Sequence, residues 1–98
     1  MFVYLIRLSE NSYYKIGTTK NINKRIKQLQ TGNAEDIFLV SSFESEYAFK
    51  IEKALHNFYI DKKKINEWFE FTIEDEVNFL KNCKKIEENL IFLEKNKI

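Results

Sequence analysis

Residues 13–25, YYKIGTTKNINKR, gather two tyrosines, one of the chain's two glycines, two threonines and four basic side chains. Such a stretch either turns a strand into a helix or forms the edge of a site that handles phosphate. Around it lies a small set of groups able to do chemistry. Tyr4 sits near the N-terminus, Lys15 two residues before Gly17 and Arg25 eight residues after it, while Glu52 and His56 lie four apart and so share a helix face. A guanidinium suits a phosphate through two parallel hydrogen bonds. An ammonium can bind phosphate as a point charge or act as a base, and a lone carboxylate can suffice for a hard cation that keeps most of its waters.

Other chemistries are excluded. His56 is the only histidine and no serine sits in an elbow motif, so a Ser–His–Asp triad is ruled out. Gly17-Thr18-Thr19 lacks the second glycine and the GK[ST] ending of a P-loop, and no HExxH or EF-hand pattern is present. One histidine and one cysteine do not make a structural zinc site. Cys83, alone, forms neither an internal disulfide nor a CxxC pair, which points to a reducing, intracellular setting, cytoplasm or nucleus.

The elements that must position these groups can be read from periodicity. Residues 2–8, FVYLIRL, and 13–17, YYKIG, predict two strands joined by the polar loop SENS. Gly17 ends the second. Asn21 is a predicted N-cap, and Ile22, Ile26 and Leu29 mark a helix over 21–30 that stops at Thr31-Gly32-Asn33. Residues 37–43, IFLVSSF, predict a third strand, apolar enough to be central or well covered. Residues 45–59 predict a helix with Tyr47, Ile51, Leu55 and Phe58 inward. DKKKIN is a polar connection and EWFEF a short extended segment. A last helix spans 73–95, with Thr72 as N-cap, acidic residues in its first turn, and Ile73, Val77, Leu80, Ile86, Leu90 and Leu93 as its apolar stripe. The expected fold is one α+β domain over 1–98, a small three-stranded antiparallel sheet flanked by helices in the order β-β-α-β-α-(β)-α.

The chain has 98 residues, 44% hydrophobic and 32% charged, as a small globular domain requires. No apolar run approaches the roughly 20 residues that span a bilayer, and MFVYLIRLSE reads as a strand rather than a signal peptide. The net charge of +1 is uneven: residues 1–30 carry six basic and one acidic side chain, whereas residues 31–60 carry two and five. A positive N-terminal third fits a local contact with a polyanion, or a solvated basic helix face.

VYLI at 3–6, KIG at 15–17 and TKNINKR at 19–25 resemble the GIY-YIG nuclease superfamily. EYAFKIEKALHNFY resembles its metal-carboxylate helix, and LQTG at 29–32 with NEWFEF at 66–71 resemble its phage-type, DNA-binding or nuclease-like branch. The resemblance covers about residues 2–71 and leaves the last helix as an addition. It implies a three-stranded antiparallel sheet flanked by helices, and hydrolysis of DNA phosphodiesters with one divalent metal, Mg²⁺ or Mn²⁺.

Residue by residue, the resemblance implies that Tyr4 orients or helps deprotonate the attacking water. Arg25 is the arginine that stabilises the phosphate, and Glu52 is the metal ligand. His56 is placed to hydrogen-bond Glu52 or to touch a phosphate. Lys15 stands where the family pattern has a second tyrosine, and Tyr13 lies on the same strand face. Lys20, Lys24 and Lys27, with Lys62, Lys63 and Lys64, are expected to contact the DNA backbone. Alternatives are a DNA-binding module of the same fold without turnover, or a protein-interaction domain that uses the C-terminal helix, with a homodimer as one outcome.

Overall fold

The computed structural model describes residues 1–9, 11–65 and 67–97; Glu10 of the predicted SENS loop and Asn66 of the predicted polar connection lie outside the described residues. The first strand, β1 (Phe2–Leu8), pairs antiparallel with β2 (Tyr13–Thr19) on one side and β3 (Ile37–Glu44) on the other. Two short strands, β4 (Lys63–Ile65) and β5 (Trp68–Glu70), extend the sheet beyond β2, giving the order β3-β1-β2-β5-β4. The α+β antiparallel architecture is as expected, but the sheet has five strands rather than three. The basic connection and the EWFEF segment fold back on each other as an added hairpin.

The apolar run in β1 has a direct cause: Val3, Tyr4, Leu5 and Ile6 are all buried because both faces of β1 are covered. The third strand, expected to be central or well covered, is neither, and the interior place is held by β1. β3 is an edge strand, and its Phe38 and Leu39 remain 43% exposed.

Two layers cover the sheet. On one face Val3, Leu5, Tyr14, Ile16 and Phe69 pack against α2 (Ala48–Phe58) and α3 (Ile73–Lys95), through Ile51, Leu55, Tyr59, Phe79 and Cys83. On the other face Tyr4, Ile6 and Ile37 meet Ile22, Ile26 and Leu29 of α1 (Ile22–Thr31). Alternation along β1 thus divides one strand between two cores.

The caps follow the sequence. The Asn21 side chain accepts from the Lys24 amide at 3.0 Å. Thr72 and Asp75 form a reciprocal capping box at the start of α3, preceding its acidic first turn. Two apolar stripes sit differently from their prediction. In α2, Phe58 is 67% exposed and Tyr59 takes the inward place. In α3, Ile73, Val77, Leu80 and Leu93 face solvent, whereas Phe79 and Cys83 are fully buried and Ile86 and Leu90 flank them. The helical period fits more than one face of this helix, and the sheet selects the face carrying the large aromatic.

Candidate active site

The site lies where β2 loses its outer neighbour. β5 pairs with β2 only through Tyr13 and Tyr14, so from Lys15 onward the outer edge of β2 has no strand partner among the described residues. A cavity of about 190 Å³ opens at this edge, lined by Tyr4, Lys15, Gly17, Thr18, Arg25, Glu52, His56 and Glu67. All five residues expected to be catalytic (Tyr4, Lys15, Arg25, Glu52 and His56) therefore share one cavity. They come from β1, β2, α1 and α2.

Gly17 is required by space. It lies directly opposite Tyr4 in the β1–β2 register. A Cβ at Gly17 would stand 2.5 Å from Tyr4 Cζ and closer still to the hydroxyl. Its missing side chain is the room that the Tyr4 ring occupies, which lets the phenol pack against β2 and reach the cavity. Tyr4 is otherwise buried, with 1% of its surface exposed.

Arg25 lies one turn into α1, its backbone amide donating to the Asn21 carbonyl at 3.1 Å. The Asn21 cap therefore sets the register that aims it. Ile22 and Ile26, anchored on Tyr4 and Ile6, hold the helix against the sheet. Arg25 Nε donates to Tyr4 Oη at 3.3 Å. That leaves the terminal nitrogens of the guanidinium, which make no hydrogen bond among the described residues, as donors for an anion.

From α2, His56 Nε2 sits 3.1 Å from the carbonyl oxygen of Ile16, on the open edge of β2. A carbonyl only accepts, so Nε2 carries the hydrogen. The ring packs edge-on against Phe69 at 5.1 Å. Of the two contacts open to His56, a bond to Glu52 or to a phosphate, the first is not formed: Nε2 is 3.8 Å from Glu52 Oε2, beyond hydrogen-bond range. His56 is held by the strand edge and stands beside Glu52 without a hydrogen bond to it. Glu52 has its carboxyl pushed above the usual range, chiefly by burial. His56 opposes that shift and the nearby Glu67 carboxylate adds to it. A partly desolvated carboxylate without a hydrogen-bonded cation favours an added positive charge.

Lys15 Nζ pairs with Glu67 Oε2 at 3.1 Å and lies 5.8 Å from the centroid of the Trp68 ring. The hydrogen bond and charge of Lys15 hold the Glu67 carboxyl below its usual range. Glu67 is the site residue that sequence reasoning did not single out. Its only local signal is a place in an extended segment, and just the pairing of β5 with β2 brings it to Lys15.

The expected backbone-contact residues do not line this cavity. Lys24 and Lys27 are exposed on α1 and Lys20 in the bend before it, and Lys63 and Lys64 are exposed on β4. Lys62 is already engaged, with Nζ 2.7 Å from Asp75 Oδ2, and ties the turn before β4 (Ile60–Lys62) to the α3 cap. Tyr13 is half-buried on the Lys15 face of β2 and borders a second hollow with Trp68 and Ile65. A larger hollow of about 590 Å³ between α2 and the end of α3 is lined by Tyr47, Phe49, Leu90 and Leu93 with the charged Glu46, Lys50, Glu94 and Lys97, and holds none of the residues expected to be catalytic.

Among the described residues no group of three or more His, Cys, Asp or Glu side chains is placed to hold a metal. The donor set does suit a hard divalent ion that takes one protein carboxylate and fills its remaining positions with water and substrate oxygens, with Glu52 as that carboxylate. No helix is long and apolar enough to cross a membrane.

The chain matches the T5orf172 domain family across residues 1–86. It is also similar to Uncharacterized protein 460R of Invertebrate iridescent virus 6, with 32% identity over 62 residues. That match covers 61% of this chain and 28% of the viral protein, so the chain spans well under half the length of this relative. No solved structure matches the chain significantly.

Proposed function

Because the chain belongs to the T5orf172 domain family, a phage-associated family with an endonuclease-related fold, we propose that it is a divalent-metal-dependent DNA endonuclease of the GIY-YIG type, hydrolysing phosphodiester bonds. The observation that carries this reading is the convergence of Tyr4, Lys15, Arg25, Glu52 and His56 on one cavity. These residues lie between positions 4 and 56 of the sequence and come together only in the fold.

Each residue has a task that its surroundings suit. The terminal nitrogens of Arg25 take the non-bridging oxygens of the phosphate, where charge grows in the transition state. The Tyr4 hydroxyl, fixed between Arg25 and Gly17, orients the attacking water. Glu52 holds Mg²⁺ or Mn²⁺, which when bound polarises phosphate oxygens and makes water more acidic. The hydrogen bond of His56 to the Ile16 carbonyl fixes the ring beside Glu52. Lys15 offers a point charge to the phosphate once Glu67 yields it. The exposed lysines of α1 and β4 add salt-dependent affinity for the DNA backbone.

Incubation of DNA with the protein and Mg²⁺ or Mn²⁺ tests the reading. Arg25→Ala and Glu52→Ala are each expected to slow cleavage by about 10²–10³-fold. A parent protein that leaves DNA intact, or variants that cut as fast as the parent, would sink it. One observation favours a second reading, a DNA-binding module without turnover: the Lys15 ammonium is already paired with Glu67. That reading expects DNA binding that survives Glu52→Ala and yields no metal-dependent product.

A further inference from the structure

Trp68, the chain's single tryptophan, lies at the junction of two hollows. It lines a second cavity of about 210 Å³ with Leu8, Tyr13 and Ile65, with Asn11 and Glu35 at its polar rim. The same ring lies 5.8 Å from Lys15 Nζ, and Lys15 lines the first cavity. The lysine of the proposed phosphate site therefore touches the aromatic wall of its neighbour.

The sheet explains why this hollow exists. Ile65 pairs with Trp68 across β4 and β5, and Tyr13 pairs with Glu70, two residues from Trp68. Alternation places Tyr13, Trp68 and Ile65 on the α1 face of the sheet, beside Lys15. On this face α1 covers Tyr4, Ile6 and Ile37. It does not cover Ile65, which stays 61% exposed.

We infer that this hollow is a nucleobase site, which takes a base unstacked from the strand whose phosphate lies beside Lys15 and Arg25. The inference rests on the nuclease reading above and adds a subsite to it. The walls suit a flat apolar ring: two aromatic side chains and two aliphatic ones, in a volume below the ~300 Å³ where pockets for larger ligands begin. A base stacks on such a wall whatever its identity, because every base has a π face. The rim suits the edge of a base. Asn11 Oδ1 accepts from the Tyr13 amide at 2.8 Å, which directs the Asn11 amide nitrogen, a donor, elsewhere. Glu35 supplies a carboxylate acceptor. Continuity through Lys15 selects the occupant, since a ligand that reaches both cavities must present an anion beside a flat ring.

The single tryptophan makes the test direct. The full chain is titrated at low salt with a short oligothymidylate and, separately, with an equal-length strand of abasic nucleotides, both end-labelled for anisotropy. The expected result is quenching of Trp68 fluorescence by the oligothymidylate only, with the abasic strand bound but not quenching. Ile65→Asp, a change at an exposed position, is expected to weaken oligothymidylate binding by about tenfold relative to the abasic strand. Binding of both strands without quenching, or equal quenching by both, overturns the base site and leaves the nuclease reading standing. Binding of neither strand overturns both.

Discussion

Replacing Gly17 by alanine tests the geometry of the site at its tightest point. The new Cβ would lie 2.5 Å from Tyr4 Cζ, so the ring must withdraw by about 0.9 Å to reach ordinary contact. Tyr4 is 99% enclosed, with Ile22 and Ile26 packed against its cluster, so the cavity it lines is its one outlet. Overpacking of this kind costs about 1–3 kcal/mol, a fall in melting temperature of roughly 5–20 °C for a domain of this size. The same withdrawal breaks the 3.3 Å contact of Tyr4 with Arg25 Nε. A displacement near 1 Å at a reacting group costs about a hundredfold in rate. The assay pairs thermal melting with DNA cleavage in Mg²⁺. A double variant supplies the control: with Tyr4→Leu in place the clash is gone, so adding Gly17→Ala lowers the melting temperature no further, a coupling of about 1 kcal/mol or more. A Gly17→Ala protein that melts within about 2 °C of the parent and cuts at the parental rate would refute the argument that Gly17 exists to seat Tyr4.

Glu52→Gln separates function from stability. Burial raises the Glu52 carboxyl, so the stability tied to its protonated form is complete below the usual carboxylate pKa and is lost as pH rises through the raised folded value. The glutamine variant is therefore expected to melt no lower than the parent at pH 7 while losing cleavage, and a clearly lower melting temperature would count against this. Asp75→Asn removes the charge from the acceptor shared by Lys62 and Thr72. Burial alone would raise this carboxyl, but Lys62 and Thr72 outweigh it and hold it below the usual range. The expected loss, read from denaturant melts, is about 1 kcal/mol at neutral pH. Since the folded pKa is depressed, that stabilisation is present above the unfolded value and fades as pH falls through the folded one. The gap between parent and variant should therefore close below about pH 4. Cys83 is fully buried, and its thiol is pushed up to about 12, mainly by burial. A thiol reagent should label it only at the rate at which the fold opens, and fast labelling of the native protein would contradict its place in the core.

Much of this fold is written in short windows. β1, the Asn21 cap and the Thr72–Asp75 capping box depend on neighbours within a turn or two, so residue type and spacing suffice to place them. The failures share a cause. Ile73, Val77 and Leu80 obey a helical period as well as Phe79 and Cys83 do, yet just one face of α3 can meet the sheet. Phe58 and Tyr59 compete for one inward place, and the tyrosine takes it because it continues the four-residue spacing of the buried Ile51 and Leu55, with Asn82 donating to its hydroxyl at 2.9 Å. β3 looked interior by composition, but an edge is defined by which strands pair, and that is not a local property.

The site divides in the same way. The identities of Tyr4, Lys15, Arg25, Glu52 and His56 and their order along the chain are sequence properties, and the chemistry was nominated by the family resemblance they carry. Their meeting is a tertiary property. It needs the register that sets Tyr4 over Gly17, the cap that aims Arg25, and a β5 short enough to leave the edge of β2 open for His56 and Glu52. Glu67 shows the limit most plainly. No spacing links it to Lys15, and the two charges meet across the added hairpin only because hydrophobic burial of Phe69 docks that hairpin beside β2. Local propensity acts over a few residues, whereas burial acts over the whole chain, and this cavity is assembled by burial.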